Sequence, residues 1–171
     1  MNFTDALLSR RSVRKYLDLP VSRDMVTALI EAAEAAPSAG NLRARKYIVV
    51  AGEEMRKALA IAAYNQSHVA KAPVLIVVCA DVLRSRSRYG DRGSLYSIQD
   101  ATASVMCLLL AAFDRGLGTC WIGAFDDDLV REALSLEEQI LPVAMISLGY
   151  PAQSPSPAPR RSMQEMVSWI D

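Results

Sequence analysis

The sequence predicts a single domain in which helices cover both faces of a central β-sheet. Three features lead there. Residues Val74-Leu75-Ile76-Val77-Val78-Cys79-Ala80 form an unbroken apolar run, and a strand apolar on both sides belongs inside a sheet with protein over each face. Residues Tyr96 to Arg115 carry small or apolar side chains on nearly every turn, the mark of a helix enclosed by other protein. Helix and strand signals then follow one another through all 171 residues with no repeat and no dividing linker, so one domain spans 1–171.

Composition narrows the function classes. Hydrophobic residues make up 51% and charged residues 22%, which excludes a disordered chain. Nineteen Lys and Arg balance 19 Asp and Glu. No global field draws in nucleic acid or an anionic membrane, and any cationic site must be local. Cys79, Cys107 and Cys120 are odd in number and irregularly spaced, with no C-x-x-C and no disulfide framework, so a reduced, cytoplasmic setting is expected. Met1 to Asp5 shows no basic segment leading into an apolar run, and no secretory leader is expected. The apolar stretch Ala101 to Phe113 falls short of the ~20 residues that a bilayer requires.

Taken in order, Thr4 is placed to cap a first helix, with Asp5 in the opening turn where the dipole favours a negative charge. That helix runs through Leu7 and Leu8 into Ser9-Arg10-Arg11-Ser12-Val13-Arg14-Lys15. Four cations and two hydroxyls within seven residues suit phosphate oxygens, which accept from guanidinium forks and serine hydroxyls alike. A solvated basic turn is the alternative; the segment reads here as one wall of a cofactor site. After Leu19-Pro20, Ser22 caps a helix whose apolar face is Met25, Val26, Leu29, Ile30 and Ala33. It ends at Ala36-Pro37. The dense turn Pro37-Ser38-Ala39-Gly40-Asn41 is either a plain connector or a small-residue loop whose backbone can approach a planar ligand.

Lys46 to Ala51 reads as a strand, and Glu53 to Ala63 as a helix with Met55, Leu59 and Ala62 inward. The apolar run at 74–80 is the clearest strand. Arg84 to Gly93, basic and glycine-punctuated, reads as a flexible loop, either a lid or a solvated linker. The long helix follows and ends at Gly116 in the left-handed conformation. One chain this short would struggle to enclose it, so a partner subunit is expected against it. Small residues then alternate with large apolar ones through Leu117 to Phe125, and Asp127 or Asp128 caps a short helix. The Asp126-Asp127-Asp128 triple could be taken for a metal site, but capping accounts for it, and no metal is expected. Pro142 to Tyr150 is a core strand; Pro151 to Pro159 is extended and proline-rich, and leads to Arg160-Arg161. A short amphipathic segment with Met163, Met166, Val167 and Trp169 closes the chain.

Most catalytic machinery is missing. There is no phosphate-binding G-x-x-x-x-G-K-[ST], no G-x-S-x-G, and no metal-ligand spacing. Gly116-x-Gly118 with Gly123 has the wrong spacing for a dinucleotide fingerprint and follows a helix where a strand is needed. His68, the sole histidine, has no Ser or Cys partner and reads as an ordinary helix-end residue. Chemistry must then come from an organic cofactor.

Five segments, in order, carry a resemblance: Arg10-Arg11-Ser12-Val13-Arg14, Ala36-Pro37-Ser38-Ala39-Gly40-Asn41, Asp100 in the apolar helix, Gly116-Leu-Gly-Thr-Cys-Trp-Ile-Gly-Ala-Phe125, and Leu148-Gly-Tyr-Pro151 with Arg160. Together they resemble the nitroreductase family of FMN-dependent oxidoreductases over essentially the whole chain. The resemblance implies an α+β fold with a central mixed β-sheet flanked by helices, in an intertwined homodimer with FMN at the interface. It implies that Arg10, Arg11 and Ser12 hold the phosphate and ribityl end. Arg14 would approach the flavin N1 and C2 carbonyl, where a cation stabilises the reduced form. Pro37, Ser38, Ala39 and Asn41 would reach the FMN of the partner. Trp121, Ile122, Gly123 and Ala124 would lie along the ring, the last two placing backbone amides near N5, and Arg160 would close over the phosphate. NADH or NADPH would supply hydride, and an electron-poor small molecule (a nitroaromatic, quinone or enone) would receive it.

The chain departs from that family at Arg43-Ala44-Arg45, which stands where Gln-Pro-Trp is common. Two arginines there would favour an anionic substrate or nicotinamide-nucleotide phosphates, or else simply face solvent. The same resemblance admits dehalogenases and flavin-cleaving enzymes. A basic nucleic-acid surface built from residues 10–15, 84–92 and 160–161 is the reading from another class. Zero net charge and the lack of interleaved aromatics set it lower.

Overall fold

The computed structural model describes residues 3–157, 159 and 161–170. Seven helices and four strands follow one another in the described chain: α1 (Phe3–Ser9), α2 (Arg23–Ala33), β1 (Arg45–Val50), α3 (Glu53–Ala62), α4 (Ser67–Lys71), β2 (Val74–Asp81), α5 (Val82–Tyr89), α6 (Arg92–Asp114), β3 (Gly118–Ile122), α7 (Asp127–Ala133) and β4 (Ile140–Gly149). Short 3-10 turns occur at Ala39–Asn41 and Met163–Glu165.

The sheet runs β1-β2-β4-β3, with every named pair antiparallel. An isolated parallel bridge from Ser12 to Thr119 on the outer side of β3 makes it mixed. β2 is interior and buried from Val74 to Ala80. Its alternate side chains enter two different cores, as the two-residue period of a strand requires. Val74, Ile76 and Val78 pack with Leu29 and Ala33 of α2 and with Val105 and Leu108 of α6. Leu75, Val77 and Cys79 pack instead with Leu59 of α3, Val69 of α4 and Val130 of α7. Pro142 sits within β4, an interior strand, where its missing N–H would break the ladder. The register steps from Val78↔Ala144 to Cys79↔Pro142 at that place, a bulge that accommodates it.

Several local expectations hold. The Ser22 hydroxyl accepts from the Met25 N–H at 3.2 Å, and Gly116 ends α6 with φ 74°. Others are corrected. Thr4 lies inside α1 instead of capping it. Met55 is at the surface of α3, and Ala60 takes the inward place. The cap of α7 is Asp126, whose carboxylate accepts from the Asp128 and Leu129 N–H groups at 3.0 Å each. Residues 84–93 are not a flexible loop: they are most of α5, a turn at Gly90 (φ 57°) and the start of α6. Asp81 caps α5 by accepting from the Arg84 N–H at 3.0 Å. Gly93 then lets the two helices touch, because a Cβ there would lie 2.6 Å from the Arg86 backbone.

α6 is longer than expected, with 23 residues, a length and composition that would also cross a bilayer. Its packing against α2 and β2 through Ala101, Val105, Leu108 and Ala112 assigns it to the core instead. Leu95 and Met106 remain at the surface of the single chain.

Arg45 opens β1 and is buried, with all its guanidinium donors engaged. Nε donates to Glu34 Oε1 at 2.7 Å, and the two terminal nitrogens reach the carbonyls of Glu34, Ala36, Pro37 and Asp100 at 3.0–3.4 Å. A planar fork suits this set of acceptors, three carbonyls just past the end of α2 and one from α6. Neither reading of Arg45, beside a substrate or facing solvent, holds, since the side chain is buried and closes a helix end. Arg43 is exposed, 3.8 Å from Glu34.

Arg45→Met should leave those acceptors buried without donors and lower stability by about 3–5 kcal/mol in urea unfolding. Partial burial raises the Glu34 carboxyl, but hydrogen bonds from Arg45 and Tyr47 and the charges of both arginines outweigh it, for a net lowering. A carboxylate lowered on folding stabilises the fold above its unfolded value, and that contribution fades as pH falls through the folded value. The stability gap between the native chain and Glu34→Gln should thus be full at neutral pH and narrow on acidification below the ordinary glutamate range. A gap unchanged by acid would contradict it.

Candidate active site

The arginine-bearing segment that follows α1 runs along the outer edge of β3. The Val13 N–H donates to the Thr119 carbonyl at 2.8 Å, and Leu17 N–H donates to the Tyr150 carbonyl at 2.9 Å. In an extended segment alternate side chains face opposite ways. Val13 turns inward and is buried, while Arg14 is exposed. Val13 fits because Gly118 has no side chain: a Cβ there would lie 2.8 Å from the Val13 Cβ. Tyr16 adds a latch. Its hydroxyl donates to the Val13 carbonyl at 2.7 Å and accepts from the Ser147 hydroxyl of β4 at 2.7 Å. Burial pushes its phenol well above the ordinary value, which keeps that proton in place.

Ser12 and Arg14 flank Cys120, whose thiol is raised by burial against the opposing pull of Arg14 and Ser12. Where β3 ends, Gly123 and Ala124 are exposed. The Ala124 carbonyl accepts from the Gln66 side-chain amide at 3.2 Å. Two residues on, His68 lies inside α4 with only 8% of its surface accessible. Its Nε2 has no hydrogen-bond partner among the described residues. Burial, then the positive field of Arg14, hold its proton affinity below the ordinary histidine value. It does sit at a helix end, as the sequence suggests, but its burial and its unpaired nitrogen set it apart from an ordinary one.

Arg10, Ser12, Arg14, Trp121, Ile122, Gly123 and Ala124 thus gather at the β3 edge, with Gln66 and His68 added to them. Nothing in the sequence links Gln66 or His68 to Ala124, because that contact joins two turns 58 residues apart. The side chain of Ile122 is buried and that of Trp121 half-buried, each packed against a core of the sheet. The Arg11 guanidinium turns back to the carbonyls of Leu8 and Arg10 at 2.7 and 2.8 Å, closing the end of α1. Arg10, Arg11, Val13, Phe113, Leu117 and Pro155 border a cavity of about 360 Å³. Arg160 lies outside the described residues.

The loop with Pro37, Ser38, Ala39 and Asn41 is at the other edge, leading into β1. The Ala39 N–H donates to Asp100 Oδ1 at 2.9 Å, and the Ser38 hydroxyl accepts from the Arg43 N–H at 3.0 Å. Gly40 and Asn41 have φ of 56° and 55°. The expected lid is here a clamp: Arg84 Nε donates to the Leu42 carbonyl, Arg88 reaches the Gly40 carbonyl at 3.4 Å, and the Tyr89 hydroxyl presses on Gly40. With β2 and β4 between β1 and β3, the two groups stand about 14 Å apart across the strands alone.

The donor set at the β3 edge fits a planar, anionic cofactor such as FMN. An exposed guanidinium, an exposed turn of backbone and an unpaired, buried imidazole nitrogen all meet there.

The nitroreductase family model matches residues 7–66 and 60–150. Among similar proteins is an NADH dehydrogenase of Thermus thermophilus, 32% identical over 194 residues, covering 96% of this chain and 94% of that protein. An oxygen-insensitive NADPH nitroreductase of Salmonella typhimurium is 31% identical over 171 residues, covering 95% and 71%. The structure of the NADPH:FMN oxidoreductase of Vibrio harveyi in complex with NAD+ superposes with a TM-score of 0.91 at 29% identity, covering all of this chain and 78% of that one.

Gly118→Ala should push Val13 and its segment off β3 and lower stability by about 1–3 kcal/mol. Adding Val13→Ala should recover part of the loss in the same urea titration. A Gly118→Ala chain as stable as the native one would show that the segment is held elsewhere.

Proposed function

The chain belongs to the nitroreductase family, and on that premise we propose that it is an FMN-dependent oxidoreductase carrying hydride from NADH or NADPH to an electron-poor small molecule. The observation that carries this reading is the β3 edge, where Arg14, the Gly123–Ala124 backbone and the unpaired Nε2 of His68 meet. Support also comes from the relatives: one similar protein is an NADPH nitroreductase, and a superposable one is an NADPH:FMN oxidoreductase. Bound FMN supplies a centre that takes hydride from a nicotinamide and yields it to an acceptor, in two half-reactions that share one pocket.

The residues of the chain bind and tune. Arg10 and Ser12 hold the phosphate and ribityl end. Arg14 sets a cation beside the edge where negative charge gathers on reduction, and a fixed charge in a partly dry site acts more strongly there than in water. The small, exposed residues Gly123 and Ala124 would let backbone amides approach the part of the ring that exchanges hydride. Nitroaromatics, quinones and enones are the acceptors that such a site would reduce.

One protomer does not complete the site. The Ser38–Asn41 loop and the arginine segment belong to opposite edge strands, so both reach one cofactor when a second copy brings its own loop across. Exposed Leu95 and Met106 on α6, and exposed Met163, Met166 and Trp169 beyond the prolines, supply apolar surface for such a homodimer. The three cysteines are free and two are buried, in keeping with a reducing cytoplasm.

The purified protein should be yellow and should oxidise NADH or NADPH with a quinone or nitro acceptor. Arg14→Ala should retain the fold and lower turnover by about 10–100-fold with a more negative flavin potential, while Arg14→Lys keeps most of both. Turnover and potential unchanged in Arg14→Ala would remove the electrostatic role.

A further inference from the structure

His68 is the most unusual polar group in the described chain. It is the sole histidine, it is buried, and its Nε2 has neither a protein donor nor a protein acceptor. Leaving a buried polar atom unpaired is unfavourable, and native structures do it where something else engages the atom. Its electrical surroundings are one-sided. Arg14 acts on it from the 10–16 segment. Cys120 of β3 is a neutral thiol, raised by burial. Arg56 of the packed helix α3 is committed to the carbonyls of Ala51, Ala70 and Pro73, and Lys71 is the other cation of α4 itself. The Asp126 carboxylate in the neighbouring turn is held by two backbone N–H groups. Among the described residues no carboxylate acts on the imidazole.

We infer that His68 is the redox-linked proton acceptor of this site: neutral while the cofactor is oxidised, imidazolium once hydride has arrived. The inference rests on the flavin reading above. Hydride brings two electrons and one proton, and leaves the nicotinamide oxidised and the site one negative charge richer. His68 Nε2 then takes one proton from water, forming an N–H bond and restoring the charge of the site. When hydride leaves for the acceptor, that proton returns to water, where the anionic product collects it. The sum is two electrons and two protons from reduced nicotinamide and solvent to the reduced acceptor.

The physical reason is a reversal of field. Burial and Arg14 both disfavour imidazolium. A new anion beside Arg14 screens that cation and attracts a second one, so both influences swing towards protonation. A histidine suits the task because its ordinary titration lies near neutral pH, where a modest field carries it from one form to the other.

A single histidine makes the test direct. Untagged, FMN-loaded full-length protein with 13C-labelled histidine gives one imidazole signal, to be titrated in the oxidised and the anaerobically reduced states. The expected result is a titration midpoint higher by at least about one pH unit in the reduced state, a tenfold gain in proton affinity. In parallel, a pH-indicator dye should register about one more proton taken up per flavin reduced by the native holoenzyme than by His68→Gln near neutral pH. Identical midpoints in the two redox states overturn the inference, as does equal proton uptake by native and His68→Gln holoenzymes. Should His68→Gln fail to hold FMN, the histidine signal of the native holoenzyme decides alone. A native protein that takes up no FMN overturns the flavin reading itself, and is told apart from the first outcome by its lack of colour.

Discussion

The chemistry of this protein depends on how residues 10–16 are fastened to the outer edge of β3. A lone peptide segment against a sheet edge makes few backbone hydrogen bonds, here from Val13 to Thr119, from Leu17 to Tyr150 and from Ala152 to Lys15. Shape supplies the rest. Val13 fills the space above Gly118, and the Tyr16 hydroxyl ties the segment to Ser147 in β4. Because Tyr16 and Ser147 join through side chains and Val13 through packing, Ser12 and Arg14 are not needed to fasten the segment to β4, and they flank Cys120 instead. The inner face of the segment is structural, and the outer face is chemical.

The other half of the site has its own anchor. Asp100 in the middle of α6 receives the Ala39 N–H at 2.9 Å and the Ala44 N–H at 3.4 Å, and its own carbonyl receives Arg45 at 3.2 Å. One residue of the core helix thus holds both ends of the loop that carries Ser38 and Asn41. Arg84, Arg88 and Tyr89 press on the same loop from outside. A loop held on two sides keeps Gly40 and Asn41 at positive φ without drift, which is what presenting small groups to a ligand across a subunit boundary demands.

How far the sequence discloses this depends on how local each cause is. The strand at 74–80, the Ser22 cap and the Gly116 terminus are local, and each stands where its residues place it. The α5 region misleads because serine and arginine are common in loops. Yet the Asp81 cap precedes them and no proline interrupts them, so a helix forms once Gly93 lets α5 and α6 touch. Asp126, not Asp127 or Asp128, caps α7 because of where β3 releases the chain, which composition does not encode. Arg45 and Arg43 look alike in the sequence. Only the first has α2 carbonyls waiting for it. Gln66 and His68 are least visible of all, since their importance comes from a turn 58 residues away and from the lack, among the described residues, of a carboxylate acting on the imidazole.

That absence is a matter of distribution, not of composition. Acidic and basic residues are equal at 19 each, but several carboxylates are used elsewhere, among them Glu34 on Arg45, Asp126 on the α7 cap, Asp81 on the α5 cap and Asp100 on the 39–44 loop. Each of these four is held by groups that stabilise the fold and not by Arg14. A neutral chain can therefore keep a positive edge without a positive surface, and the field there is short in range and strong at close quarters. Such a field does little to steer a distant ligand. It acts on charge that appears within the site, and charge appearing within the site is what hydride arrival produces.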